Sequence, residues 1–161
     1  MIKQVLVFFV KSRMVLLAQK SSTAKVAASK WNGYGGDIEG NETPSQAAVR
    51  EITEETDGGI TVKEKDLIPR GCIDFFLSDN RPKEANFQVH LFVCYEFDGE
   101  AKQTKEMRKP TWVVIGQLEG LDMMPADREF VPQILGGRRM QGWVRFRPNL
   151  SGVESRYLEY F

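Results

Sequence analysis

A short helix with three glutamates on one side, directly after a glycine-rich loop, constrains this chain more than any other feature. Glu51, Glu54 and Glu55 stand at positions i, i+3 and i+4, and on a helix this spacing places three carboxylates on one face. Like charges repel there, so a free helix would be more stable without them, whereas a divalent cation makes the same arrangement favourable. The pattern therefore predicts a metal site built on a helix, with a solvated acidic face as the alternative.

Local signals mark both ends of this helix. Thr43 is the predicted N-cap, Pro44 takes the first helical position, and Gln46 completes a capping box. We expect Gly58 and Gly59 to end the helix. One stripe of the helix is predicted to pack on a sheet beside the glutamate face, and it consists of Ser45, Ala48, Val49 and Ile52.

The loop before the helix reads WNGYGG over residues 31–36, and its glycines let the backbone approach a ligand closely. Gly36 is followed by five residues, then Glu42, then seven residues, then REITEE over residues 50–55. This spacing resembles the signature of the Nudix hydrolases, Gx5Ex7REUxEExGU with U apolar. At its end Asp57 replaces the usual glycine, which we interpret as a helix stop shifted by one residue.

Other segments extend the resemblance from about residue 5 to 147. EMRKPTW at 106–112, DMMPADREFVPQIL at 122–135 and GWVRF at 142–146 are similar to the oxidised-purine nucleoside triphosphatase (8-oxo-dGTP diphosphatase) branch of that family. The resemblance implies an α/β fold, the Nudix-type α/β/α sandwich with a mixed sheet. It also implies a hydrolase that uses Mg²⁺, with Mn²⁺ as a possible substitute.

Composition limits the other classes of function. A chain of 161 residues with 42% apolar content fits one domain, taken as 1–161, with a sizeable core. Lys and Arg number 22, as do Asp and Glu, so no general surface for a nucleic acid polymer is expected. The apolar run at the N-terminus is too short to span a membrane and lacks a cleavage site. We expect a cytoplasmic monomer in which Cys72 and Cys94 are reduced core thiols.

Periodicity and turn residues predict the remaining elements. Strands are expected over residues 2–10, 14–19, 67–77, 86–97, 111–115 and 142–147. A mobile loop is expected at 20–30, and an edge strand or tail at 151–161. A second helix is predicted at 125–135, where Pro132 should break or bend it. Two helices on opposite faces of strands again favour an α/β sandwich.

The resemblance assigns the metal and catalytic residues. Glu51, Glu54 and Glu55 are the expected ligands, and Gly36 would offer a backbone carbonyl, a donor set of oxygens that suits Mg²⁺. The general base stays open among the glutamates, with Glu54 and Glu51 as the box candidates. Glu106 is a further candidate ligand or base, with a solvated loop residue as its alternative.

Two other sets of charged residues have different predicted roles. Arg50 and Glu42 are expected to pair and hold the loop against the helix instead of touching substrate. The resemblance places Lys20 near the substrate, where it would bind phosphate or base; the alternative is a surface lysine. Lys25 and Lys30 are interpreted as solvated.

For base recognition the resemblance points to Asn32, Phe75, Met124 and Asp127. Asn32 offers both a donor and an acceptor to a base edge, and Phe75 is either a stacking partner or a core aromatic. Met124 stands where the branch often has tryptophan, and Ala126 stands where it has the first of two aspartates that read the purine edge together. We therefore expect a narrower or shifted purine preference.

The leading hypothesis is hydrolysis of a nucleoside triphosphate to the monophosphate and pyrophosphate, with oxidised purine nucleotides such as 8-oxo-dGTP as first candidates. The alternatives are hydrolysis of another nucleoside diphosphate derivative, such as a dinucleotide polyphosphate or nucleotide sugar, and a sensor that binds a nucleotide without cleaving it. His90, Trp112 and Trp143 are interpreted as structural or core residues.

Overall fold

The computed structural model describes residues 1–77 and 83–161. Its α-helices are α1 (Pro44–Glu55) and α2 (Asp127–Leu135). Its strands are β1 (Ile2–Lys11), β2 (Met14–Lys20), β3 (Trp31–Asn32), β4 (Tyr34–Asp37), β5 (Ile60–Thr61), β6 (Leu67–Phe76), β7 (Phe87–Cys94), β8 (Asp98–Gly99), β9 (Met107–Val114), β10 (Met140–Phe146) and β11 (Val153–Tyr160). Within these described ranges, no helix has the length and apolar character needed to cross a bilayer.

Nine of these strands form one mixed sheet in the order β11-β10-β6-β7-β1-β2-β3, with β4 paired to β1 and β9 paired to β2. The pairs β1–β7 and β6–β10 are parallel, and the other pairs of this sheet are antiparallel. β5 and β8 form a separate antiparallel pair. The mixed sheet with few helices confirms the predicted α/β class.

The central strand β1 shares one of its edges between two partners. Its C-terminal end pairs with β2, while Gln4–Val7 pair with β4. A Cβ at Gly35 would collide with the carbonyl of Val5, and one at Gly33 would lie 2.5 Å from the carbonyl oxygen of Val7. Glycine is therefore needed for β4 to pack against β1, and this packing fixes the loop that precedes α1.

The two helices cover opposite faces of the sheet. Successive side chains of β1 point to opposite faces, so β1 contributes residues to the clusters under both helices. The face under α1 contains a cluster with Val5, Val7, Phe9, Ala47, Ala48 and Ile52. The other face contains a cluster with Phe8, Val10, Phe130, Val131 and Ile134, the last three from α2. The start of α2 and the glutamate face of α1 therefore lie on opposite faces of the sheet, on either side of β1.

Helix α1 begins as predicted but ends earlier. The reciprocal capping box between Thr43 and Gln46 is present. Asp57 itself adopts a positive φ of 50°, Gly58 follows with 69°, and the Gly58 amide donates to the Thr53 carbonyl at 2.8 Å. Gly58 and Gly59 thus take part in the predicted stop, since the Gly59 amide also donates to the Thr56 carbonyl at 2.9 Å, but the left-handed conformation already begins at Asp57.

Helix α2 begins at Asp127, two residues after the predicted start, and continues through Pro132 to Leu135. Of the two effects predicted for Pro132, a break or a bend, the break does not occur. Phe130, Val131 and Ile134 around the proline are fully buried, so tertiary packing outweighs the local cost of the missing N–H.

Other differences concern strand ends and exposure. β9 starts at Met107, four residues before the prediction, and β11 realises the edge-strand alternative for the C-terminal segment. Trp143 is 37% exposed, so the prediction that it is a core residue was wrong. It lies on β10, and the main contacts of α1 with the large sheet are made to β1 and β4 instead. Cys72 and Cys94 are free thiols, half-buried and buried respectively.

Candidate functional site

Two adjoining cavities lie beside the ends of β2 and β4. The smaller cavity has a volume of about 120 Å³, and the larger and more open one about 620 Å³. Both are lined by Lys20, Gly35, Gly36 and Glu55. A molecule that fills both cavities would therefore pass these four residues.

The larger cavity brings together all the predicted metal and catalytic residues, namely Gly36, Glu51, Glu54, Glu55 and Glu106. Glu106 comes from a distant part of the chain, immediately before β9. Its backbone carbonyl accepts a hydrogen bond of 2.9 Å from the Ser21 amide. This bond ties the segment that carries Glu106 to the loop after β2, and so closes one side of the cavity.

The three helix glutamates differ in their surroundings. Glu54 has a side chain that is 60% exposed, the Glu51 side chain is 12% exposed, and Glu55 is buried at 5%. The Gly35 amide donates to the Glu55 carboxylate at 2.6 Å. Burial raises the pKa of Glu55 to about 8, and the bond from Gly35 opposes this rise. Burial also raises the pKa of Glu51, against the effect of Arg50.

The fit of this cavity to a metal ion rests on its donor set. Throughout the described ranges, no three Asp, Glu, His or Cys side chains converge closely enough to hold an ion as they stand. Glu51 and Glu55 each accept a hydrogen bond from a protein donor. The carboxylates of the cavity still act on one another, since the charges of Glu54 and Glu106 both raise the pKa of Glu51. A cation would relieve this repulsion, and the oxygen donors suit Mg²⁺.

Gly36 adds a steric observation to this fit. A Cβ at Gly36 would lie 2.5 Å from the Glu51 carboxyl carbon, so any side chain there would displace the carboxylate. The backbone of β4 and the Glu51 side chain thus occupy one compact region, in which a backbone carbonyl and carboxylates could share a ligand.

Arg50 links the loop and the helix. It donates two hydrogen bonds to the Glu42 carboxylate, at 2.8 and 2.9 Å, one to the Asp37 carbonyl at 2.8 Å, and one to Glu51 at 2.9 Å. The hydrogen bond from Arg50, with help from the Glu39 amide, lowers the pKa of Glu42 to about 2. Neither Glu42 nor Arg50 lines either cavity, so their contacts position other groups.

The smaller cavity brings together the predicted base-recognition residues Lys20, Asn32, Phe75, Met124 and Asp127. Asp127 is 4% exposed, and burial raises its pKa to about 7 while the charge of Lys20 lowers it. The Asn32 side-chain oxygen accepts from the Gly33 amide at 2.8 Å, which leaves its NH₂ group available. Phe75 stacks on Phe146 at 5.5 Å between ring centroids, so it is both a core aromatic and a wall of the cavity.

Ala126 behaves differently from its neighbour Asp127. It is fully buried in the apolar cluster under α2 and does not line the smaller cavity. Among the described residues, the cavity therefore offers only Asp127 as an aspartate to a ligand. A second carboxyl introduced at position 126 would lie in an apolar environment.

Sequence reasoning missed part of the larger cavity. Lys25, interpreted as solvated, is exposed but lines this cavity, and so does Lys105. Lys30, also interpreted as solvated, is half-buried and forms an ion pair with Asp122 at 2.6 Å. No local pattern separates these lysines, because their positions depend on how the loop after β2 folds onto the segment before β9.

A family model and two curated relatives match this chain over most of its length. The model of the NUDIX domain matches residues 3–134. The oxidized purine nucleoside triphosphate hydrolase of Danio rerio is 34% identical over 143 residues, which cover 88% of this chain and 85% of that protein. The mouse (Mus musculus) protein of the same name is 28% identical over 142 residues, with the same coverage of 88% and 85%.

A solved structure shares the fold of this chain. The mutator MutT protein of Bacillus halodurans superposes with a TM-score of 0.82 at 24% identity, covering 99% of this chain and 98% of that one. The domain match over most of the sequence, together with the glutamate helix and the sheet that carries it, shows that this chain belongs to the Nudix family and is a Nudix hydrolase.

Proposed function

We propose that this Nudix hydrolase is a Mg²⁺-dependent nucleoside triphosphate diphosphatase, with oxidised purine nucleotides such as 8-oxo-dGTP as the first candidate substrates. Water would add to a phosphorus atom of the chain and the bond between the α- and β-phosphates would break, giving a nucleoside monophosphate and pyrophosphate. The names of the Danio rerio and mouse relatives support the substrate class.

One observation carries the proposal: a small cavity with mostly apolar walls and a buried aspartate shares Lys20, Gly35, Gly36 and Glu55 with a larger cavity lined by glutamates. A small-molecule site is typically a largely apolar cleft with a few placed polar groups, and Asn32 and Asp127 supply these for a base edge. Phe75 and Met124 would pack against the base. The phosphate chain of the same nucleotide would then extend past Lys20 into the larger cavity.

Nudix hydrolases generally use divalent metal ions. We propose that Glu51, Glu54 and Glu55, with the Gly36 carbonyl, would hold Mg²⁺, or Mn²⁺ in its place. When bound, the ion would supply positive charge that offsets the charge growing on phosphoryl oxygens. Glu106 lines the same cavity, and we propose that it would bind the ion or accept a proton from the attacking water, with Glu51 and Glu54 as the other candidates for that proton.

The test is a product analysis across a nucleotide panel, with and without Mg²⁺. The panel holds 8-oxo-dGTP, dGTP, a pyrimidine triphosphate, a dinucleotide polyphosphate and a nucleotide sugar. We expect triphosphates to give monophosphate and pyrophosphate only with the metal, and isotopically labelled water identifies the phosphorus attacked. Faster cleavage of the dinucleotide or the sugar would replace the proposed substrate, and nucleotide binding without cleavage of any member would indicate a sensor.

A further inference from the structure

The larger cavity has walls of opposite charge. One wall comes from the end of β4, the segment after it and α1, and carries Asp37, Glu39, Glu51, Glu54 and Glu55. The other wall contains Lys20 at the end of β2, Lys25 from the loop after it and Lys105 from the segment before β9, together with the hydroxyl-bearing residues Ser21 and Thr23. Glu106, next to Lys105 in the sequence, also lines the cavity. We call Lys20, Lys25 and Lys105 the basic wall.

The two segments of the basic wall are joined through the backbone. The Ser21 amide donates to the Glu106 carbonyl at 2.9 Å, and Lys20 pairs with Met107 in the β2–β9 ladder. The neck of the loop is closed as well, since the Lys20 amide donates to the Lys30 carbonyl at 2.9 Å. Lys25 and Lys105 are therefore held on the same side of the cavity although 80 residues of sequence separate them.

The lysines of the basic wall are not used for ion pairs inside the protein. Among the residues that the structure describes, Lys20, Lys25 and Lys105 form no salt bridge within 4.0 Å, whereas Lys30 in the same loop pairs with Asp122 at 2.6 Å. The cations and the carboxylates of α1 therefore line one cavity of about 620 Å³ without pairing, which leaves room for an anion. A phosphate chain is such an anion, and charged donors of this kind form its strongest contacts.

We propose that Lys25 and Lys105 form a binding subsite for the terminal phosphates of the substrate and for the pyrophosphate product. The inference rests on the proposed function for the orientation of the nucleotide. It adds a basis for choosing triphosphates over diphosphates: a diphosphate lacks the terminal group that reaches the basic wall. Lys20 lines both cavities, so it would contact the phosphate chain closer to the nucleoside than Lys25 and Lys105 do.

The experiment measures binding of inorganic pyrophosphate to the full chain with Mg²⁺ by calorimetry, for wild type, Lys25→Gln, Lys105→Gln and the double variant. Exposed charged contacts are worth little singly, so each substitution should weaken pyrophosphate binding roughly three- to tenfold, and the double variant roughly 10- to 100-fold. Lys102→Gln is the matched control, since Lys102 is exposed in the same segment but lines neither cavity.

A second ligand separates a phosphate contact from damage to the loop. Val26 and Ala27 of the same loop line the smaller cavity, so a distorted loop would also weaken binding of a nucleoside monophosphate. We expect monophosphate inhibition to be unchanged in the lysine variants, and the ratio of kcat/KM for a triphosphate to that for its diphosphate to fall.

Three results would overturn the inference: pyrophosphate affinity equal to wild type in the double variant, an equal loss of monophosphate affinity, or no pyrophosphate binding by wild type. Lysine-dependent pyrophosphate binding in a protein that cleaves no nucleotide would support the subsite and refute the proposed function. If triphosphates are cleaved and the lysine substitutions leave pyrophosphate binding unchanged, the proposed function is supported and the subsite is refuted.

Discussion

Arg50 and Glu42 are joined by two parallel hydrogen bonds of 2.8 and 2.9 Å across the loop that precedes α1. The same guanidinium donates to the Asp37 carbonyl at 2.8 Å. Asp37 follows Gly36 directly, so Arg50 fixes the loop whose backbone lies against the Glu51 carboxylate. Arg50 and Glu42 therefore hold the backbone of the candidate metal site in a fixed position relative to α1.

Arg50→Lys should keep the charge and lose the paired geometry, because an ammonium group cannot form the planar two-bond contact. We expect metal-dependent activity to fall about 10- to 100-fold, the range typical of groups that orient ligands, with a weaker apparent affinity for Mg²⁺. Glu64→Gln is the control, since Glu64 is exposed and lines neither cavity. Equal activity of Arg50→Lys and wild type at low Mg²⁺ would contradict this role.

Glu54→Gln and Glu55→Gln should each lower kcat by about 100-fold or more at saturating Mg²⁺, the scale of losing a main source of transition-state charge stabilisation. Folding should survive. A glutamine oxygen at position 55 can still accept the 2.6 Å bond from Gly35, and removing the Glu54 charge relieves its repulsion of Glu51. Thermal melts and turnover are compared with Glu64→Gln, an exposed glutamate outside both cavities. Near-normal turnover of both variants would remove these residues from the mechanism.

Gly36→Ala should displace the Glu51 carboxylate, because the added Cβ would lie 2.5 Å from its carboxyl carbon. We expect a loss of activity and of apparent Mg²⁺ affinity that is larger than any change in melting temperature. Gly116→Ala is the matched control, since a Cβ there meets nothing within 4 Å. A Gly36→Ala protein with wild-type Mg²⁺ dependence would show that the site tolerates movement of Glu51.

Asp127 should make stability depend on pH. Its pKa in the folded protein is about 7, above its ordinary value of about 3.9. Between these values the folded protein holds a proton that the unfolded chain has released. The stabilisation is therefore complete below about pH 4 and is lost as pH rises to about 7, on the order of a few kcal/mol.

Denaturant unfolding of wild type and Asp127→Asn across that pH range measures the effect as a difference between the two proteins. The advantage of wild type over the variant should shrink as pH rises from 4 to 7. Asp98→Asn, at an exposed position, should follow wild type. A constant difference between wild type and Asp127→Asn would mean that Asp127 does not titrate in this range.

Asp127→Ala should change which bases are accepted. The variant leaves a base edge without its partner in the smaller cavity, at a cost of about 1–3 kcal/mol felt mainly in the choice among bases. The readout is the ratio of kcat/KM values for 8-oxo-dGTP, dGTP and a pyrimidine triphosphate. Unchanged ratios would place Asp127 outside base recognition.

Some of the site is visible in local sequence. The capping box of Thr43 and Gln46, the spacing of Glu51, Glu54 and Glu55, and the period of the main strands all depend on neighbours along the chain, so reading the sequence identified α1, its acidic face and the core sheet. The glycines of β4 were recognised as allowing close approach, but what they approach is β1, which only the fold reveals.

The sequence by itself determined the family, the α/β class and the set of candidate glutamates. Tertiary structure decided which glutamate is buried, since the bond from Gly35 to Glu55 depends on β4 packing against β1. It also decided that Lys25 and Lys105 share one cavity wall and that Asp127 lies near the charge of Lys20. These relationships join residues far apart in the chain, and burial and electrostatic fields arise only when the sheet brings such residues together.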